Sequence, residues 1–262
     1  MAQQTDHPCR EAALARRRSY DAAPYHAQAV GRGVNRALYL VVRVFMQPFF
    51  HVYFRMRRTG MAHIPKTGPV IFAANHRSFL DPFVIGMLTR RPVYYVAKRE
   101  LFESPAQAWL LNRLGAFPVE RGESDQRSMS TARAILARGD CVVIFPEGTR
   151  VRGGPLGSPK RGVGRLALET GAPIVPVAVL GTERVRHGAL IRPCRVRVRC
   201  GAPLRFPRVE RPSPGLATGV TQRVWPCVEL QWQWLGGELP QRPPIPPAEI
   251  GSSGTRAAAP TG

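Results

Sequence analysis

The residues best suited to move a proton stand together in Asn75-His76-Arg77-Ser78-Phe79-Leu80-Asp81-Pro82. On a regular helix His76 and Asp81 would lie about 140° apart, so they can meet only where the chain turns, as at a strand end entering a helix. Once they meet, the carboxylate accepts the imidazole Nδ1–H and leaves Nε2 to take a proton from a hydroxyl. The nucleophile in such an arrangement is the substrate's own hydroxyl. Spacing alone is weak support, because the chain has six histidines and an exposed or core histidine is the commoner case.

Two further segments are polar in a specific way. Phe145-Pro146-Glu147-Gly148-Thr149-Arg150 follows a continuous apolar run. Glycine there lets the backbone approach a ligand and arginine offers a fork to phosphate oxygens, as in a crevice at the carboxyl end of a strand. Gly115-Ala116-Phe117-Pro118-Val119-Glu120-Arg121-Gly122 places another arginine after a short apolar run. By itself the first is also readable as a surface turn with incidental charges, and the second as a tight turn with a salt bridge.

Taken in order, these blocks resemble the motifs of the glycerophospholipid acyltransferase family, particularly its 1-acylglycerol-3-phosphate acyltransferases. Asn75, His76 and Asp81 match an NHxxxxD block; Gly115, Phe117 and Arg121 match a second. Phe145–Arg150 is a complete FPEGTR block, and Val175-Pro176-Val177 matches a fourth, apolar block. Ala97–Phe102 also looks like the family's AKREL region. The resemblance covers residues 60–185. It implies His76 as general base and Asp81 as its orienting partner. It also implies that Arg150 and Lys98 contact the acceptor's phosphate with support from Arg121, and that Asn75, Glu147, Gly148 and Thr149 belong to the substrate site. Val175–Val177 would lie near an acyl channel. The implied donor is acyl-CoA or acyl-carrier protein and the implied acceptor a lysophospholipid, with no metal or resident cofactor. The motifs do not separate 1-acylglycerol 3-phosphate from another lysophospholipid, glycerol 3-phosphate or a glycolipid.

These residues need elements to hold them. Between residues 59 and 205 short apolar runs alternate with helical patterns. Pro69–Ala73, Val93–Ala97, Cys141–Phe145 and Ile174–Leu180 read as strands. Leu80–Arg90, Pro105–Leu114, Ser124–Arg138 and Arg161–Thr170 read as helices, and Arg195–Cys200 as a strand with one wet face. This alternation predicts an α/β domain with a mostly parallel sheet flanked by helices. A helix over about 215–235 follows, and 236–262 reads as a disordered Pro-rich tail. Residues 1–33 read as a flexible basic extension.

The stretch 34–58 is different. It is nearly all apolar from Ala37 to Phe54, and Arg36, Arg43, Gln47, His51 and Arg55 trace one polar stripe about 120° wide. That pattern predicts a helix lying in a membrane interface, kinked by Pro48. A spanning helix and an ordinary amphipathic helix on the core are the alternatives.

Composition bounds the rest. The formal charge is +21, and all but three of the 38 Lys and Arg residues are arginine. Some of that bias fits codon usage in a GC-rich genome; the remainder points to anionic partners: phospholipid head groups of a membrane surface, phosphorylated substrates or nucleic acid. No nucleic-acid motif accompanies the charge, so nucleic acid is not an expected partner. Five cysteines without CxxC spacing fit a reducing compartment, with neither disulfides nor a zinc site. The polar N-terminus does not read as a secretion signal, and the expected location is the cytoplasmic face of the cell membrane, peripheral or monotopic.

Overall fold

The computed structural model describes residues 21–119, 126–187 and 190–238. At its centre is a seven-stranded sheet in the order β1-β9-β6-β2-β5-β3-β4. The strands are β1 (Arg57–Thr59), β2 (Val70–Ala74), β3 (Val93–Lys98), β4 (Ala116–Val119), β5 (Cys141–Ile144), β6 (Ile174–Leu180) and β9 (Arg197–Cys200). All pairings are parallel except β6 with β9. A separate two-stranded hairpin joins β7 (Arg186–His187) to β8 (Leu190–Ile191).

The continuous apolar runs become the inner strands because a parallel sheet covered on both faces has no wet side. Along β2, Val70, Phe72 and Ala74 enter one apolar cluster while Ile71 and Ala73 enter the other. The first layer holds α2 (Arg36–Val52), α3 (Asp81–Gly86) and α4 (Pro105–Arg113). The second holds α1 (Ala23–Gly31), α5 (Gln126–Ala137), α6 (Gly162–Thr170) and α7 (Pro214–Trp234). Helices α6 and α7 touch closely at Gly164, where a Cβ would lie 2.1 Å from the Ala217 carbonyl oxygen. Cys141 is wholly buried in β5, and burial pushes its thiol up to about 12, which makes it inert at neutral pH.

Three expectations need correction. Residues 23–31 are a helix rather than part of a loose extension: Pro24 starts α1, Ala29 is fully buried, and buried His26 meets Thr131 Oγ1 at 2.8 Å. The remainder of that extension through residue 20, and the tail from 239, lie outside the described residues. The helix expected over Leu80–Arg90 stops at Gly86, where arginines from other elements take its terminal carbonyls. Arg43 donates to the carbonyls of Gly86 (3.1 Å) and Thr89, and Arg58 to that of Met87 (2.7 Å).

That capping also changes the reading of α2. Arg43 of the polar stripe points at the domain, Gln47 and His51 are half-buried, and Arg55 falls beyond the helix at φ +42. The outward side is apolar, with Leu40, Val41, Val44, Phe45, Phe49 and Val52 all exposed. Among the described residues, no helix is long and apolar enough to cross a membrane.

Candidate active site

In open parallel sheets, ligands bind in the crevice beyond the carboxyl ends of the strands. Strand β2 lies between β6 and β5, and its carboxyl end runs directly into Asn75 and His76. The chain then turns through Arg77–Leu80 into α3, whose first residue is Asp81. This turn closes the gap that a straight helix would leave: His76 Nδ1 lies 2.9 Å from Asp81 Oδ2.

Asp81 is wholly buried and well supplied with donors. Its Oδ2 also accepts the backbone N–H groups of Arg77 (2.6 Å) and Ser78 (2.7 Å), and its Oδ1 accepts the Thr182 hydroxyl at 2.6 Å. The imidazole stacks on Phe145, ring centroids 4.1 Å apart, while its side chain keeps 16% of its surface exposed. With Nδ1 fixed as donor to a carboxylate, Nε2 is the free base. The arrangement can therefore deprotonate a hydroxyl placed beside it.

Glu147 of the FPEGTR block holds this loop from the other side. Its Oε2 accepts the His76 N–H at 2.6 Å and its Oε1 the Gly157 N–H at 2.8 Å. Burial pushes its carboxyl above the usual range, and these hydrogen bonds with Arg77 and His76 nearby pull the other way. The N–H groups of His76, Arg77 and Ser78 are thus already spent on carboxylates. Gly148 adopts φ +68 beneath the Lys160 side chain, whose Nζ a Cβ would approach to 3.0 Å. Thr149 is exposed and Arg150 half-buried, and the next residue's N–H, that of Val151, donates to the His76 carbonyl at 2.8 Å. Lys98 is exposed at the end of β3, in register with Val119 of β4. Arg121 lies outside the described residues.

Asn75, expected at the substrate site, is engaged elsewhere, and Val175–Val177, expected near an acyl channel, is enclosed in the sheet. Asn75 is fully buried, and its side chain donates to the Val179 carbonyl (3.0 Å) and accepts the Val179 N–H (2.8 Å). It splices β2 to β6 beyond the last paired residues. Val175 and Val177 are wholly buried inside β6. An open apolar groove lies between α2, α3 and β3, lined by Tyr39, Val42, Met46, Phe83, Met87 and Tyr95.

Sequence reasoning missed Arg77, Thr182 and Lys160. Arg77 is buried; it donates to the carbonyls of Val151 (2.8 Å) and Gly154 (2.6 Å) and lies 4.4 Å from the centre of the Trp232 ring. Thr182 is separated from Asp81 by 101 residues and sits in no recognised block. Lys160 follows the FPEGTR block by ten positions, and its being one of only three lysines was the available signal.

Fold and site together define an α/β domain that carries a histidine–carboxylate pair for general-base chemistry at the carboxyl edge of its sheet. The model of the Acyltransferase family matches residues 55–180. A 1-acyl-sn-glycerol-3-phosphate acyltransferase of Bacillus subtilis is 31% identical over 144 residues, 54% of this chain and 70% of the relative. A chloroplastic 1-acyl-sn-glycerol-3-phosphate acyltransferase of Arabidopsis thaliana is 28% identical over 152 residues, 56% of this chain but 42% of the relative. The chain spans about half the length, or less, of several curated relatives it matches. Among solved structures, the 1-acyl-sn-glycerophosphate acyltransferase PlsC of Thermotoga maritima superposes with a TM-score of 0.59 at 26% identity, covering 73% of this chain and 78% of that one. The chain belongs to the acyltransferase family.

Proposed function

We propose that the chain transfers a fatty acyl group from acyl-CoA or acyl-carrier protein to the free hydroxyl of 1-acylglycerol 3-phosphate, making phosphatidic acid at a membrane surface. The observation that carries this reading is the 2.9 Å contact between His76 and a buried, fully engaged Asp81 at the end of β2. His76 Nε2 takes the hydroxyl proton as the oxygen attacks the thioester carbonyl. The C–O bond forms, the tetrahedral intermediate collapses with loss of the C–S bond, and the imidazolium returns its proton to the departing thiolate. Asp81 holds the imidazole in the right tautomer and stabilises its charged form. Help of this kind contributes roughly 10²–10⁴-fold to the rate.

Arg150 and Lys98 grip the acceptor's phosphate, with Arg121 assisting, and Gly148 and Thr149 form the rim of that site. The apolar groove beside α3 takes the acyl chain, since it opens one turn from Asp81 and is walled by α2. The exposed apolar side of α2 lies in the lipid interface and anchors the domain on the cytoplasmic, anionic leaflet, to which the basic surface is drawn. The reaction needs no cofactor beyond the thioester itself.

The test is an acceptor panel with one acyl-CoA, products resolved by mass spectrometry. We expect 1-acylglycerol 3-phosphate to be acylated fastest. His76→Ala should lower the rate by about 10³-fold or more while vesicle binding stays unchanged; near wild-type turnover in that variant would refute the assignment.

A further inference from the structure

The sheet end that carries His76 also gathers positive charge and a second set of exposed apolar side chains. From Arg184 to Arg199 the sequence holds six arginines and no Asp or Glu. Arg192, Arg195 and Arg197 are exposed, and Leu190 and Ile191 of β8 are 65% and 51% exposed. This segment is firmly seated. Val185 and Val196 are wholly buried, and the Arg192 N–H donates to the Val185 carbonyl at 2.8 Å. The Tyr53 hydroxyl donates to the Ile191 carbonyl at 2.8 Å, and Tyr53 stacks on Phe49 of α2 with ring centroids 5.1 Å apart. The apolar pair of β8 therefore adjoins the C-terminal end of α2.

Strand register fixes where this lies. Leu180, the last residue of β6, partners Arg197, and Arg197 partners Arg57 of β1. The basic segment thus stands at the end of the sheet where β2 and β6 finish, the end occupied by His76 and Thr182.

We propose that Leu190–Arg197 is a second lipid-contacting element, which seats Leu190 and Ile191 in the interface beside α2 and holds anionic phospholipid headgroups with Arg192 and Arg195. The proposal rests on the reading of α2 as an anchor. A bilayer carrying anionic lipid fits because the apolar pair adjoins exposed Arg192 and Arg195 and continues the exposed side of α2. One helix lying in an interface leaves the domain free to roll about the helix axis. A second contact at the His76 end removes that freedom and turns the reaction centre toward the surface that holds the acceptor.

The full chain is tested by co-sedimentation with vesicles of phosphatidylcholine alone, or mixed with phosphatidylglycerol, at low and high salt. Circular dichroism checks the fold of each variant. Arg192→Gln/Arg195→Gln should lower binding to phosphatidylglycerol vesicles by about twenty-fold at low salt and leave phosphatidylcholine binding unchanged. Leu190→Ser/Ile191→Ser should weaken binding to both. Val44→Glu/Phe45→Glu separates the two readings: loss of binding there supports the α2 anchor whatever the second element does. If that variant loses binding while both variants of the 190–197 segment bind like wild type, the second contact is refuted and the anchor stands. Salt-insensitive dimerisation that disappears in Arg192→Gln/Arg195→Gln would also overturn the proposal, by making a second copy the occupant.

Discussion

Asp81 has no contact with solvent, and a lone carboxylate so placed would cost several kcal/mol. Four donors offset that cost: one imidazole, two backbone N–H groups and the Thr182 hydroxyl. Thr182 is the donor that arrives from another strand end, so its loss should be felt by both fold and chemistry. Thr182→Val should cost about 1.5–3 kcal/mol, the worth of a hydrogen bond to a charged group, measured by urea unfolding. It should also lower kcat more than it raises KM, and Thr182→Ser should restore both. The histidine and aspartate were legible in the sequence because one turn holds them. Thr182 was not, because only the pairing of β2 with β6 brings it there. Asn75 was legible as part of a block but not in its role: its amide serves the backbone of β6, and a motif gives identity without orientation.

Elements were legible where burial is two-sided or periodic. The runs Cys141–Ile144 and Ile174–Leu180 became inner strands within a residue of expectation. Strand β1, Arg57–Thr59, was not foreseen, because a three-residue edge strand of Arg-Arg-Thr carries no apolar signal. Pro176 inside β6 looks misplaced in an inner strand, since proline gives no N–H. Its carbonyl accepts from Gly201 on the β9 side, so its nitrogen faces that side too, and the β6–β9 ladder starts only at Val177. The missing donor therefore costs no bond to β2. Helix α2 was found by its periodicity, but periodicity cannot say which side meets the domain. Arg43 decides this by capping α3. Arg43→Ala should leave those carbonyls short of a donor and destabilise the protein by about 1–3 kcal/mol, checked by urea unfolding. Arg43→Lys should recover only part, because an ammonium is a point charge and not a fork.

Across the whole molecule, the α/β class followed from the strand–helix alternation, while strand order, the antiparallel β9 and the two helix layers required the structure. The second layer matters to the reaction centre through α7. Buried Trp232 carries the Arg77 guanidinium, which in turn fixes the 151–154 loop beside His76. Replacing Trp232 with leucine should leave the sheet intact by circular dichroism. It should also lower the temperature at which acyl transfer is lost, so that inactivation precedes global melting. Inactivation and melting temperatures falling together would instead assign Trp232 to the core alone. The family match ends at residue 180, whereas this support comes from residues 214–234. During synthesis, a nascent chain whose signature blocks have all left the ribosome still lacks the indole on which its histidine loop depends. A polypeptide stalled before residue 214 would carry every recognisable block, yet it should turn over more slowly than one whose helix at Pro214–Trp234 has emerged and docked.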